Sequence, residues 1–490
     1  MKKSKINIKD DLKKFWIKYN SFIINGLIPL ILFTIIFFSF YPGIMTYDGN
    51  FQWKEVQSGL ITNSHPFFST YFMYLLSKIH NTTTIIILYQ IILFSLVWGY
   101  LCQSLKCSKK QEYIKYIFTI IMCLTPLISI YEITIWKDIM YTSYLFCIGI
   151  MLFNFSKNSY EVSIVDYIAF GILCMLVFSY RFNGMIVSIL IILLLVVILL
   201  KKYKIKKVTK NNIKKASVIF VTFIISLSFV IILKNTIINE TNKKIEKENK
   251  VANKNEVSLS SIDSYMLWMM GAHIESNNIK NKDDLKFLNE IIPIDEWKDS
   301  YNPYLINNTT LSKNLDKGPI AKNNTKFRKI FLKYTKRYPL TIVKHYLKSD
   351  GMLINPVSMM KGYVYVFDFS EWDNPKGFYQ KTISKIPFIQ RKYTTLINIT
   401  LKKPFIIFYQ PAFVLYSTII LTFILSLRVC GKKIWLFISP MLFNTLSLLP
   451  INLAQDLRYV YINYLTFFGI LLICAINYKR IFYNKRKLKH

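Results

Sequence analysis

Apolar residues in this chain come as unbroken blocks of about 18 to 24, without the stripes of a surface helix or the alternation of a strand. A helix of that length crosses a hydrocarbon layer of roughly 30 Å. The blocks cover residues 22–40, 83–102, 114–131, 139–155, 164–180, 184–200, 215–233, 405–427, 434–453 and 460–476. They predict an all-α polytopic membrane protein with about ten transmembrane helices. The block at 22–40 follows a basic start and carries no small-residue cleavage site, so it reads as a retained first span. A shorter apolar stretch, 65–79, is too short to count with the others.

Charge decides how that stretch is read. With ten spans, one side receives the lysines and arginines of 2–18, 106–115, 157, 201–215, 428–433 and 479–489. That is about 29 cations, against about 5 in the short loops of the other side. Cations gather on the cytoplasmic side of membrane proteins, so both termini are expected inside. If 65–79 also crossed, the basic run 201–215 would face outward. The stretch is therefore expected to lie on the outer surface as an interfacial helix.

The formal net charge of +36 suggests a nucleic-acid binder at first sight, but the lysines flank apolar blocks and form no single basic face. Membrane lipids are the expected partner of that charge; nucleic acid is not. The seven cysteines sit in or beside apolar blocks, with neither a disulfide framework nor zinc spacing among them.

These boundaries divide the chain into a basic cytoplasmic start (1–20), a seven-span module (21–233), an outer region (234–404), a three-span module (405–477) and a basic tail (478–490). In the outer region, 240–257 has a linker's composition. Helical spacing appears at 261–275, 283–292 and 327–347, the last interrupted at Pro339, and 362–368 alternates like a strand.

Every short outer loop carries charge. After the first span comes Tyr47-Asp48-Gly49-Asn50-Phe51-Gln52-Trp53, and then Asn63-Ser64-His65-Pro66. Glu132 and Trp136-Lys137-Asp138 lie between the third and fourth spans, and Arg181-Phe182-Asn183-Gly184 between the fifth and sixth. Gln455-Asp456-Leu457-Arg458-Tyr459 precedes the tenth. Charge at the end of an apolar block is costly unless paired, hydrated or used. A carboxylate such as Asp48 can take a proton from an attacking hydroxyl or amine. Lys137, Arg181 and Arg458 can hold a phosphate and offset its charge as it leaves. Asp138 or Glu132 can orient an acceptor or a divalent metal ion, although no ligand set names a metal. Gln52, His65, Asn183 and Asp456 are supporting candidates.

Each has a plainer reading. Asp48 marks a water boundary, Lys137-Asp138 is a local pair, and Arg181 with Asn183-Gly184 anchors a tight turn. Asp456 and Arg458 partner each other, and His65 precedes a helix begun by Pro66. The tryptophans Trp268, Trp297 and Trp372 read as core or interfacial anchors.

In these loops the chain resembles the C-superfamily of membrane glycosyltransferases, and most closely an uncharacterised bacterial family of predicted glycosyltransferases. Tyr47-Asp48-Gly49 with Gln52, His65-Pro66, Trp136-Lys137-Asp138, Arg181-Phe182-Asn183-Gly184 and Tyr338-Pro339-Leu340 carry the likeness. It spans about residues 24–233, with the Arg458 loop as an extension. The resemblance implies transfer of a sugar from a polyprenyl-phosphate donor to a cell-envelope acceptor at the outer leaflet. Asp48 would be the catalytic acidic residue, 48–60 and 65–79 the two helices parallel to the membrane in the first outer loop, and Asp138 (or Glu132) the second acidic residue. The chain departs from the superfamily in having no Asp-x-Asp pair in the first loop. Two other readings stay open: a transporter or flippase for a lipid-linked glycan, and a non-enzymatic envelope assembly protein. Span centres nearly empty of charge, without matching broken spans in two halves, weigh against transport.

Overall fold

In the computed structural model, residues 8–205, 210–252, 259–357, 361 and 383–482 are described, and each of the ten apolar blocks contains helix. The first part of the chain runs α1 (Ile8–Ser39), β1 (Ile44–Met45), α2 (Tyr47–Ser58), α3 (Phe67–Ile79), α4 (Thr84–Ser104), α5 (Lys109–Leu124), α6 (Pro126–Glu132), β2 (Thr134–Ile135), α7 (Lys137–Lys157), α8 (Ile164–Tyr180), α9 (Gly184–Ile205) and α10 (Lys210–Ala252). Among the described residues six helices are long and apolar enough to cross a membrane, or seven if α5 and α6 are one bent span. The protein is thus a helical protein of membrane type.

Local chemistry sets the helix ends. Ser163 and Asp166 form a reciprocal capping box that opens α8, and the extended backbone of Arg181 closes it. The block expected at 114–131 is two helices meeting at 72°. Pro126 forces the residue before it out of helical geometry, and Thr125 is accordingly extended (ψ 118°). Composition alone could not show the break, because apolar residues continue through it.

α7 occupies the centre, with nearly every side chain buried against α4, α8 and two later helices, α21 (Ile434–Leu448) and α22 (Tyr461–Ile476). α20 (Pro411–Leu425) packs along α22, and α21 also contacts α9. The result is one continuous apolar core from Phe33 to Ile481.

Between α10 and α20 lies a second helical unit: α11 (Ser261–Glu275), α12 (Lys282–Ile291), three short helices α13 (Ile294–Ser300), α14 (Asn307–Thr310) and α15 (Gly318–Lys322), then α16 (Asn324–Arg337), α17 (Pro339–Ser349), α18 (Gly351–Ile354) and α19 (Pro387–Thr400). The helices α11–α17 have their own core, which includes Leu267, Met270, Leu288, Trp297, Phe327 and Phe331, whereas Met352 and Leu353 of α18 and Tyr393 and Ile397 of α19 are buried in the core of the bundle. Pro339 separates α16 from α17, where a break was expected. The linker expected at 240–257 is corrected over 240–252, where α10 continues as helix to Ala252; 253–257 lie outside the described residues. A span has already met the cost of nucleating that helix, so its polar extension adds one bond per residue fixed. The strand expected at 362–368 and Trp372 lie outside the described residues.

Candidate functional site

Two strands of two residues each organise one end of the bundle. β1 and β2 pair in parallel, Ile44 with Thr134 and Met45 with Ile135. A single residue then leads each into a helix, Thr46 into α2 and Trp136 into α7. Thr46 caps α2 by accepting a bond from the Gly49 N–H (3.1 Å). Asp48 and Asp138 therefore hold equivalent places, each in the first turn of its helix, where the dipole favours an anion. The fit is close, since a Cβ on Gly49 would stand 2.5 Å from the Ile135 carbonyl oxygen.

Cations from three segments meet these carboxylates. Arg458 Nη1 donates to Asp48 Oδ2 at 2.6 Å, and Lys137 Nζ approaches the same oxygen at 3.4 Å. Arg181 Nε lies 3.1 Å from Asp138 Oδ1. Arg458 Nε lies 2.8 Å from Asp456 Oδ2. The last two contacts have the distance of an ion pair but not the alignment of a hydrogen bond. Both Asp138 oxygens and Arg458 Nε consequently have no hydrogen-bond partner, although Asp138 is only 1% exposed. Buried polar atoms in that condition are rare and call for a ligand or a water.

The rings nearby hold the guanidinium groups in place. Arg458 lies over Trp136 and Tyr459, 5.3 and 5.1 Å from their centroids, and Arg181 over Tyr459 and Tyr141, at 4.9 and 5.3 Å. Asn183 donates to Asn444 Oδ1 and Ser447 Oγ, at 3.1 and 3.0 Å, which fixes the α8–α9 turn against α21. Asn444 in turn donates to the Tyr459 carbonyl at 3.0 Å.

Together these groups line an open cavity of about 250 Å³. Asp48, His65, Lys137, Asp138, Arg181, Asn183 and Arg458 form its polar part, and Pro66, Phe182, Leu448, Ile451 and Leu453 its apolar part. Phe182 is 62% exposed, so a strongly apolar lip stands beside a charged floor. Burial opposes ionisation of Asp48, yet the charges of Arg458 and Lys137 hold its carboxyl well below the usual range. Burial and Lys137 pull His65 down to about 4, so its ring is neutral near pH 7. Burial pushes the Asp456 carboxyl up against the pull of Arg458.

No protein family, curated protein or solved structure matches the chain. Its geometry must carry the reading alone.

Of the ten residues singled out in the sequence, seven line the cavity and Asp456 stands behind Arg458. Two do not line it. Gln52 donates to Ser69 and Thr70 (3.0 and 2.9 Å) and fastens α2 to α3. Glu132 is fully buried and accepts from Tyr461 Oη at 3.1 Å. Lys137 and Asp138 are not each other's partners, because successive residues on a helix point in different directions. Sequence reasoning passed over Asn444 and the ring of Tyr459. An asparagine inside the block 434–453 was the available signal, since a polar side chain within a span is costly. Among the described residues no group of three metal-ligating side chains occurs.

Proposed function

We propose that the protein is an integral-membrane glycosyltransferase of the cell membrane, with ten spans, cytoplasmic termini, and the cavity and the 234–404 region on the outer side. It transfers a sugar from a polyprenyl-phosphate donor to a cell-envelope acceptor. One observation carries the reading. Three cations and two carboxylates, supplied by four separate segments, surround a single cavity whose lip is apolar. A lipid phosphate needs both features at once: cations for the head, and a greasy edge for the first units of the tail.

In the resting arrangement Asp48 is held by Arg458 and Lys137. A phosphate entering the cavity competes for both cations and so frees the Asp48 carboxylate for the acceptor hydroxyl. That hydroxyl oxygen bonds to the sugar's anomeric carbon as the bond from that carbon to the phosphate oxygen breaks. Its proton passes to Asp48, and the electron pair leaves on the phosphate. Lys137, Arg181 and Arg458 meet the charge left there. Attack from the side opposite the phosphate inverts the anomeric centre. Asp138 keeps Arg181 aimed at the phosphate.

The test is transfer from a panel of polyprenyl-phosphate sugars by purified protein in lipid nanodiscs. At least one donor should be consumed by the wild type, and Asp48→Asn should stop consumption without loss of membrane insertion. Undiminished transfer by Asp48→Asn would rule out the assignment of the base. Movement of intact lipid-linked glycan across vesicles, without bond cleavage, would favour a flippase.

A further inference from the structure

The loop between α21 and α22 carries Arg458, and its preceding residues are gripped by the α11–α18 unit rather than by the bundle. Backbone bonds tie the two together: the Ile306 N–H donates to the Leu453 carbonyl (2.9 Å), and the Gln455 N–H to the Tyr304 carbonyl (3.0 Å). Leu305 and Ala454 form an antiparallel bridge between these bonds. Side chains add to them. Tyr265 Oη donates to the Pro450 carbonyl (3.0 Å), Asn452 Nδ2 to the Ser349 carbonyl (2.9 Å) and Gln455 Nε2 to the Lys348 carbonyl (2.7 Å). Gln455 Oε1 also accepts from the Lys361 N–H (2.9 Å). Asn452 and Gln455 are both buried.

The next residue, Asp456, takes the Arg458 N–H on Oδ1 at 3.1 Å and faces Arg458 Nε with Oδ2. The chain thus passes within three residues from a clamp on the second unit to the guanidinium on Asp48. A flexible loop would hold a half-buried arginine between two carboxylates poorly, because ordering it costs entropy for every residue fixed. The clamp supplies that order in advance.

We propose that Gln455 and Asn452 are positioning residues through which the α11–α18 unit sets the place of Arg458 over the cavity. They touch no reacting atom. A displacement of α17 or α18 then moves the cation that receives the donor phosphate. The proposal rests on reading the cavity as a phosphate site, and its test separates the two.

Full-length protein in nanodiscs is compared as wild type, Gln455→Ala and Gly351→Ala. The second variant acts from the far side of the clamp, since a Cβ on Gly351 meets Gln455 Nε2 at 3.2 Å while the residue lies outside the cavity. Two quantities are read: amide exchange over 451–460, and binding of a short-chain polyprenyl monophosphate. Loss of two buried bonds in Gln455→Ala should speed exchange there and weaken the probe by about tenfold each. Gly351→Ala should move both the same way by about threefold, through a shifted rather than a lost bond. Exchange within α7 should stay as in the wild type, and Lys333→Ala, which cuts a surface ion pair with Asp284, should change neither quantity. If Gln455→Ala cannot be recovered, Gly351→Ala decides alone. Unchanged exchange over 451–460, or a loosened loop with undiminished probe binding, overturns the proposal. If the wild type does not bind the probe, the phosphate reading fails and exchange alone still judges the clamp.

Discussion

Both ends of the helical bundle bury charge, but they treat it differently. At the end away from the cavity Lys115 is 1% exposed, and its ammonium is fully used. Its three protons face four acceptors, the Cys102 and Leu105 carbonyls, Ser21 Oγ and Glu112 Oε1, at 2.8, 2.6, 3.1 and 2.9 Å. Two of those acceptors are carbonyls at the C-terminal end of α4, so Lys115 is a helix cap carried on another helix. At the cavity end Asp138 is as deeply buried, yet both its oxygens lack aligned donors, and Arg458 divides its charge between Asp48 and Asp456. A buried charge with every bond made stabilises a fold. One with bonds left over, beside an open cavity, is set up to meet something else.

Substitutions that separate folding from function test the contrast. The largest effect should come from Asp48→Asn, which keeps shape but removes the base: transfer should fall by about 10²–10⁴-fold in protein that remains folded and inserted. Lys115→Met should do the reverse. Stranding Glu112 and two carbonyls should cost about 3 kcal/mol of stability, while the protein that remains folded keeps its turnover. If Lys115→Met abolished turnover in folded protein, the two ends would not differ as described. Next in size is Gly49→Ala. Its methyl would press on the Ile135 carbonyl and part Asp48 from Lys137, so turnover should drop by about tenfold or more, with donor binding less affected.

The same contrast explains what the sequence could reveal. Helices bounded by local chemistry were legible to the residue: the block 164–180 is α8, between the Ser163 capping box and Arg181. The Pro126 break was hidden by continuous apolar composition, and two strands of two residues have no period to detect. Composition also misled at 240–252, because a lysine- and glutamate-rich segment reads as a linker unless the helix feeding it is known. For the site, topology gathered the loops that line the cavity but not their pairings. Arg458 does pair with Asp456, its neighbour, whereas its shorter contact is to Asp48, 410 positions away. Partners at that separation are fixed by packing, not by spacing.

The smallest effect concerns the clamp between the two units. Asp350 closes α17 at this junction, buried, with Oδ1 unpartnered. Burial pushes its carboxyl up to about 7, with Asn452 opposing. Below about pH 4 the group is neutral in folded and unfolded chains alike. As the pH rises from there towards 7 the unfolded chain loses the proton while the folded one keeps it, so unfolding gains ground; above the folded value the loss is complete and the curve flattens. The wild type should therefore lose a few degrees of thermal midpoint across that window. Asp350→Asn keeps the size of the group and removes its titration, so its midpoint should show a shallower slope and exceed the wild type's at pH 8. Parallel curves for the two proteins would place the pH sensitivity elsewhere and leave Asp350 a packing residue of α17.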